Sequence, residues 1–545
     1  MRNAGHWLPW GIFVGVLTAY VFFQVRGFSP AYLENDPDGY LFLAKRMAQG
    51  QPLFVNTSDP FQYQAHMWVE PAPGKVTSKY PPGYPALLAV AYRLAGDRGM
   101  FVVSPVMGGL ALIGAWLLFR LWLKPFSAAM ALLTLALVSH YSFYCAYLLT
   151  HATSLCLTTW GMYFLWRWLA QPRVGWGLAA GAALGASLTV RPTDALLVLP
   201  LAVAAGTGLW QGHRAGRAPW AGATAMMAAW GLFAGVLALY NFAMFGSPTV
   251  TGYELSGEQN GFSSGYFFQH FTTLMDGLNH DFLPLFFPLG LMGMMLRGSP
   301  VERALRLLWF IPIFITYASY YWVANNWAYM RFLFSTLPVC IGSAYAILEM
   351  VNVSRVARAV TLSALLGIFI NLNLGGLEDL VLGYPIGRAP HEAAQVAEKL
   401  ADHVPADAVI FAQNPMFYST GQRAAYTVYE LEIFNKRQGV ERFKEPDPRK
   451  QETEPRRQPE RTQRLRDYYE KTTDQELREC ERAIVNSSLK SGRSLFFLLS
   501  ARQYETEKQN LGPGYTWKTV DEWDMDRGGR DRPHHQRWGL YQVVL

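Results

Sequence analysis

The chain is 545 residues long, 51% apolar and 14% aromatic, with 47 Lys and Arg against 40 Asp and Glu and a net charge of +7. Its mean hydropathy of +0.08 averages apolar stretches, up to about residue 375, with a remainder rich in Arg, Lys, Glu and Gln. The length excludes one compact soluble domain, and the basic balance fits the positive-inside bias of a polytopic membrane protein better than a nucleic-acid footprint.

The first apolar stretch, Trp7–Val25, has no small-residue cleavage site before the next loop and reads as a retained anchor. A large loop follows, from about 26 to 98, opening on Glu34-Asn35-Asp36-Pro37-Asp38-Gly39-Tyr40. Within it, Asp38–Gln49 sets Leu41, Leu43, Ala44, Met47 and Ala48 among polar residues and predicts an interfacial helix. Tyr84–Leu94, entered through Tyr80-Pro81-Pro82-Gly83, predicts a second.

Counting the anchor, about eleven transmembrane or half-membrane helices are predicted. After the anchor they cover roughly 100–119, 128–147, 151–169, 175–190, 193–209, 219–243, 282–297, 304–322, 331–349 and 358–375. Their connections sort by charge. One set carries Arg2, Arg120 and Lys124, Arg167 and Arg173, Arg214 and Arg217, Arg297, Arg303 and Arg306, and Arg355 and Arg358. The alternate loops carry Asp36, Asp38, Glu70, Asp97, Glu254, Glu258 and Asp281. An odd number of crossings puts the N-terminus in the cytoplasm and the long loops and tail outside. A helix-centre arginine is costly, by about 2.5–3.5 kcal/mol on insertion scales, so Arg191 is expected at the outer boundary with Pro192 starting the next helix.

The outer loop at about 246–281 is rich in Gly and aromatic residues and suits a mobile substrate lid. In the tail, Glu392–Leu400 predicts a helix, and Ala408–Gln413 and Leu495–Leu499 predict strands. The stretch from about 436 to 467, dense in charge and proline, reads as a solvated, loosely ordered insertion. The expected fold is mainly α: a polytopic transmembrane bundle over 1–380, whose large first loop carries interfacial helices, and a small soluble α/β domain over 381–545. Cys145, Cys156, Cys340 and Cys480 offer neither a pairing framework nor CxxC metal spacing.

Several candidate site residues have two readings. Asp36-Pro37-Asp38-Gly39 is either a solvated turn capping the next helix or a pair of carboxylates, one of them a general base at the membrane boundary. Arg191 either pairs with Asp194, three residues on, or binds a phosphate. Arg331 is a snorkelling anchor or a second phosphate ligand, and Lys79 and His151 are further candidate donors. For His151 a structural hydrogen bond competes with that role. Tyr253 either lines an acceptor groove or belongs to the aromatic belt of the membrane. His66, His270 and His280, in outer loops, are surface residues by default.

Four short stretches, in order, resemble the GT-C class of integral-membrane glycosyltransferases, and within it the protein-mannosyltransferase and aminoarabinose-transferase type. They are Asp36-Pro-Asp-Gly-Tyr40 with Ala44 and Gly50, Tyr80-Pro-Pro-Gly-Tyr-Pro-Ala-Leu-Leu88, Arg191-Pro-Thr-Asp194 and Arg331-Phe-Leu-Phe-Ser-Thr-Leu-Pro338. The resemblance covers about 1–375. Family members commonly carry Asp-Glu-x-x-Tyr in the first loop with the Asp as base, which maps onto Asp36. Pro37 departs from that pattern, so Asp38 either replaces the missing acid or is itself the base.

The resemblance implies an inverting glycosyltransferase of the bacterial inner membrane, working on its outer face, with a polyprenyl-phosphate-linked sugar as donor. The acceptor is a protein, lipid or polysaccharide, membrane lipids are partners, and no nucleic acid is expected. The implied catalytic residues are Asp36 and Asp38. The lipid-phosphate ligands are Arg191, Arg331, Lys79 and His151, and the substrate contacts are Tyr40, Tyr80, Tyr253 and His270. No cofactor is expected; a divalent ion shared by Asp36 and Asp38 is the disfavoured alternative. The alternative function is a transporter or flippase of a lipid-linked sugar, which would use the cations without a base. The chain shows no internal repeat of the transporter kind.

Overall fold

The computed structural model describes residues 4–545 apart from 31–35, 58, 60, 64–66, 215–218, 323–326, 352–353, 373–395, 397–398, 401, 406, 413–426, 443–458 and 528–533. The helical bundle consists of α1 (Ala4–Arg26), α3 (Gly83–Trp122), α4 (Pro125–Leu137), α5 (Ser139–Ala146), α6 (His151–Ala170), α7 (Val174–Val190), α8 (Val198–Arg214), α9 (Trp220–Phe245), α12 (Phe286–Leu296), α13 (Pro300–Ala318), α14 (Leu337–Leu348) and α15 (Arg355–Leu372). Between them lie α2 (Asp36–Gln49) in the first long loop and α10 (Gly252–Leu255) and α11 (Ser264–Gly277) in the later one. Among the described residues, five helices are long and apolar enough to cross a membrane, and four shorter apolar helices accompany them. The chain is a multi-pass membrane protein.

Local chemistry sets the details. The segment 84–94, predicted as an interfacial helix, is the first part of α3, set off from the rest by a kink at Ala95–Gly96, where Gly96 has φ +64°. The predicted run 128–147 is broken at Val138, whose ψ of 117° ends α4. The turn lets Tyr141 and Tyr144 pack on Phe334, with centroids 5.6 and 5.4 Å away. Gly181 of α7 faces the α9 backbone so closely that a Cβ there would lie 2.0 Å from the Met226 carbonyl oxygen. Arg191 joins α7 to a 3-10 turn, Pro192–Leu197, that leads into α8.

The first long loop also holds a three-stranded antiparallel sheet that the sequence pattern did not predict. Its strands are β1 (Val55–Asn56), β2 (Trp68–Ala72) and β3 (Lys75–Ser78), in the order β1-β3-β2. Its turn signal was present in Pro71-Ala72-Pro73-Gly74: Gly74 takes φ +72°, and its N–H donates to Glu70 Oε1 at 2.7 Å.

The tail forms a five-stranded mixed sheet, order β5-β4-β6-β8-β7, from β4 (Val409–Ala412), β5 (Thr427–Glu430), β6 (Leu495–Ser500), β7 (Thr516–Arg527) and β8 (His534–Val544). β4 and β6 fall on the two predicted strands, and β4 runs parallel to both β5 and β6. Alternation along β4 sends Val409 and Phe411 to one core and Ile410 and Ala412 to the other, as expected of a strand covered on both faces. The stretch read as loosely ordered contains helices at Lys436–Arg442 and Pro459–Lys471. Leu465 and Tyr469 of the second helix are buried in the sheet's core, so charge density misled there: the charges lie on the outer face. Residues 443–458 of that stretch, and most of the predicted helix Glu392–Leu400, lie outside the described residues.

Candidate active site

The starts of α6 and α2, the ends of α7 and α13, and the 3-10 segment Trp327–Thr336 that leads into α14 meet at one face of the bundle. Alternating crossings bring these ends to the same side.

α2 begins at Asp36. Asp36 and Asp38 lie in its first turn, where carboxylates complement the helix dipole, and Pro37 is tolerated there. Two residues apart on a helix, the two acids do not share a face. Asp38 is 2% exposed, whereas the Asp36 side chain keeps 21% of its surface open.

Tyr80 crosses to Asp36 and donates its hydroxyl to Oδ1 at 2.6 Å. The Tyr40 ring lies 4.1 Å from that of Tyr80, and Tyr253 stands edge-on to Tyr80 at 6.1 Å. Burial, and after it the Asp36 charge, pushes the Tyr80 phenol well above its ordinary range, so it stays a donor. Arg331 Nη2 lies 3.8 Å from Asp36 Oδ2. A partly solvated pair at that separation contributes at most about 1 kcal/mol, little enough for a stronger anion to draw the guanidinium away.

Arg191 is buried at the end of α7 in extended backbone. Its Nη2 donates to Tyr317 Oη at 2.6 Å, and Nη1 lies 3.2 Å from His151 Nδ1. Tyr317 Oη is also 2.7 Å from Thr193 Oγ1, and its ring stacks on Phe332 at 4.7 Å. Both guanidinium groups lie over the Phe332 ring, Arg191 at 5.8 Å and Arg331 at 5.4 Å. Asp36, Arg331, Arg191 and His151 therefore form one continuous group. Asp194 interacts with Arg191 through its charge without a direct ion pair; its Oδ2 accepts from Ser154 at 2.6 Å and from Ser187.

Lys79 is buried against Glu258 of the later long loop in an ion pair, with Nζ 5.5 Å from the ring centroids of both Tyr80 and Tyr253. The loop expected as a mobile lid is thus tied to the first loop. It is also tied to α13 by Ser263 N donating to Ser319 O at 2.9 Å. His270 departs from its surface default: it is buried, bonds the Tyr320 carbonyl at 2.9 Å and stacks on Tyr266, one layer behind Tyr317. His280 is exposed beside Asp276, and His66 lies outside the described residues. Sequence reasoning missed Tyr317, Phe332 and Glu258. Phe332 stood inside the Arg331 motif, Glu258 was read only as a loop charge, and Tyr317 sat unmarked in an apolar run. Among the described residues no three His, Cys, Asp or Glu are grouped to hold a metal ion.

The dolichyl-phosphate-mannose-protein mannosyltransferase family model matches residues 79–238. No curated protein sequence matches the chain. Among solved structures, ArnT from Cupriavidus metallidurans bound to undecaprenyl phosphate is similar with a TM-score of 0.57 at 15% identity, covering 99% of this chain and 98% of that one. The Archaeoglobus fulgidus oligosaccharyltransferase in the apo form is similar with a TM-score of 0.54 at 11% identity, covering 91% of this chain and 70% of that one. The chain has the GT-C fold that its four ordered motifs implied. Family model and fold together indicate a glycosyltransferase.

Proposed function

We propose that the chain is an inverting glycosyltransferase that moves a sugar from a polyprenyl-phosphate carrier to an acceptor on the outer face of a bacterial inner membrane. The observation that carries this reading is the single group made by Asp36, Arg331, Phe332 and Arg191, with a carboxylate at one end and a buried guanidinium at the other. A similar fold bound to undecaprenyl phosphate supports the choice of donor.

In the reaction, an acceptor hydroxyl attacks the anomeric carbon from the side opposite the phosphate. The new C–O bond forms as the bond to the phosphate oxygen breaks, and that oxygen keeps the electron pair. The leaving group departs as an anion, so no general acid is needed. Asp36 takes the acceptor's proton, a role usually worth 10²–10⁴-fold. Asp36 is preferred to Asp38 because it is the accessible acid and faces the cations. Arg191, fixed by Tyr317 and adjoining His151, and Arg331 hold the phosphate where its charge grows. Lys79 joins them by exchanging Glu258 for the phosphate. Tyr40, Tyr80 and Tyr253 line the sugar side, and the tail faces the periplasm. The reading assigns no metal.

A transfer assay in membranes with a panel of labelled polyprenyl-phosphate sugars tests this reading. The parent transfers one of them, EDTA leaves transfer intact, and Asp36→Asn loses at least a hundredfold while Asp38→Asn retains more. Full transfer by both variants would overturn the base assignment. Carrier movement across the bilayer without transfer would establish the flippase instead.

A further inference from the structure

The tail is joined to the first outer loop by an anchor of specific chemistry. Phe61 is 7% exposed and belongs to the hydrophobic core of the tail sheet, with its ring 4.9 Å from Phe434 and 5.8 Å from Tyr468. Next to it, Gln62 Nε2 donates to the Val428 carbonyl at 3.0 Å, and Tyr429 donates its hydroxyl to Asp59 Oδ2 at 2.6 Å. Val428 and Tyr429 lie on β5, the edge strand of the sheet. The first loop thus covers an edge that would otherwise expose backbone groups. Arg464 adds an exposed ion pair to Glu70 at 2.6 Å.

Two residues beyond Phe61 the chain turns sharply. Tyr63 takes φ +55°, a left-handed conformation that is uncommon for a residue with a side chain and persists where surrounding contacts impose it. Past this turn the Tyr63 ring packs 4.8 Å from Trp68 and 6.4 Å from Phe42, and Trp68 meets Phe42 at 5.1 Å. Phe42 is on α2, whose first residue is Asp36. Trp68 begins β2, which pairs with β3, and β3 ends one residue before Lys79. One short peptide therefore has its first ring in the core of the tail and its next ring against the helix that carries the carboxylate.

We infer that Phe61 is a positioning residue, and that the tail sheet braces α2 through Phe61 and the left-handed turn at Tyr63 so that Asp36 stands in register with Tyr80 and Arg331. This rests on the proposed reaction only for its kinetic readout. Arg191, His151 and Tyr317 come from α6, α7 and α13 and do not depend on the brace. Its loss weakens the chemical step more than it weakens phosphate binding, which Arg191 keeps.

The test uses the full-length protein in lipid nanodiscs, comparing Phe61→Ala with Phe61→Leu. Amide hydrogen exchange is read over residues 36–49, and undecaprenyl phosphate binding gives the fraction of competent sites. The Ala variant is expected to exchange at least tenfold faster over 36–49. It should bind undecaprenyl phosphate at parent stoichiometry, with Kd within threefold, and show kcat about tenfold lower with donor KM raised less than threefold. The Leu variant restores most of both. Unchanged exchange over 36–49 overturns the proposal, and so does a kcat loss matched by an equal loss of binding sites. If the parent transfers no sugar, the reading of the reaction fails while the exchange measurement still decides the brace.

Discussion

Tyr317 accepts a hydrogen bond from Arg191 at 2.6 Å, joining the end of α13 to the end of α7 through a guanidinium with almost no solvent contact. Tyr317→Phe keeps the stack on Phe332 and removes the acceptor, leaving a buried charged N–H short of a partner at a cost of roughly 1–3 kcal/mol. The expected result is a donor KM raised about tenfold with kcat within threefold of the parent, read from initial rates against donor concentration.

Tyr80 holds Asp36 by one charge-assisted bond. Tyr80→Phe should lower kcat by roughly tenfold, the scale of a bond to a charged group at about 1.5 kcal/mol, with donor KM little changed. Asp36→Asn should cost more, since it removes the base itself. A Tyr80→Phe variant at parent kcat would mean that the phenol does not orient the carboxylate.

Gly83, at the start of α3, is pressed on the end of α7: a Cβ there would lie 2.3 Å from Thr189 Oγ1 and 2.7 Å from its carbonyl oxygen. Backbone cannot yield as a flexible side chain can. Gly83→Ala should destabilise by about 1–3 kcal/mol and displace the segment carrying Arg191. The measurements are the Tm of the purified protein and the donor KM, which should worsen together.

In the tail, Glu481 is buried between Arg478, whose Nη1 donates to it at 2.7 Å, and Glu507. Burial, and then Glu507, pushes its carboxyl from the ordinary 4.5 up to about 7. A raised carboxyl binds a proton on folding, so its contribution is fully present below pH 4.5 and is lost as pH rises through about 7. Hydrogen exchange over 474–490 in the full chain, corrected for intrinsic rates, should show stability falling as pH rises across that window. Glu481→Gln should flatten the slope.

The elements legible in the sequence were those written in local pattern. Uncharged runs marked the helices, the Pro-Pro-Gly step marked the entry to α3, and continuous apolar residues marked β4 and β6. Asp36, Arg191 and Arg331 were found as charges beside such runs, where an ionised group is expensive without a purpose. The small sheet at 55–78 and the helix at Pro459–Lys471 were missed. Two- to five-residue strands carry almost no periodicity, and a helix with one buried stripe looks disordered when its other faces are charged.

Sequence alone determined that the chain crosses a membrane repeatedly and that its charged ends alternate, because transfer of apolar surface and the cost of burying charge act residue by residue. Only the tertiary structure decided which ends meet. The seating of Arg191 on Tyr317, the shared ring of Phe332, the pairing of Lys79 with Glu258 and the anchoring of Phe61 in the tail each join residues far apart in the chain. Such contacts depend on how packed helices and sheets fit against one another, and nothing in a local stretch of sequence encodes that fit.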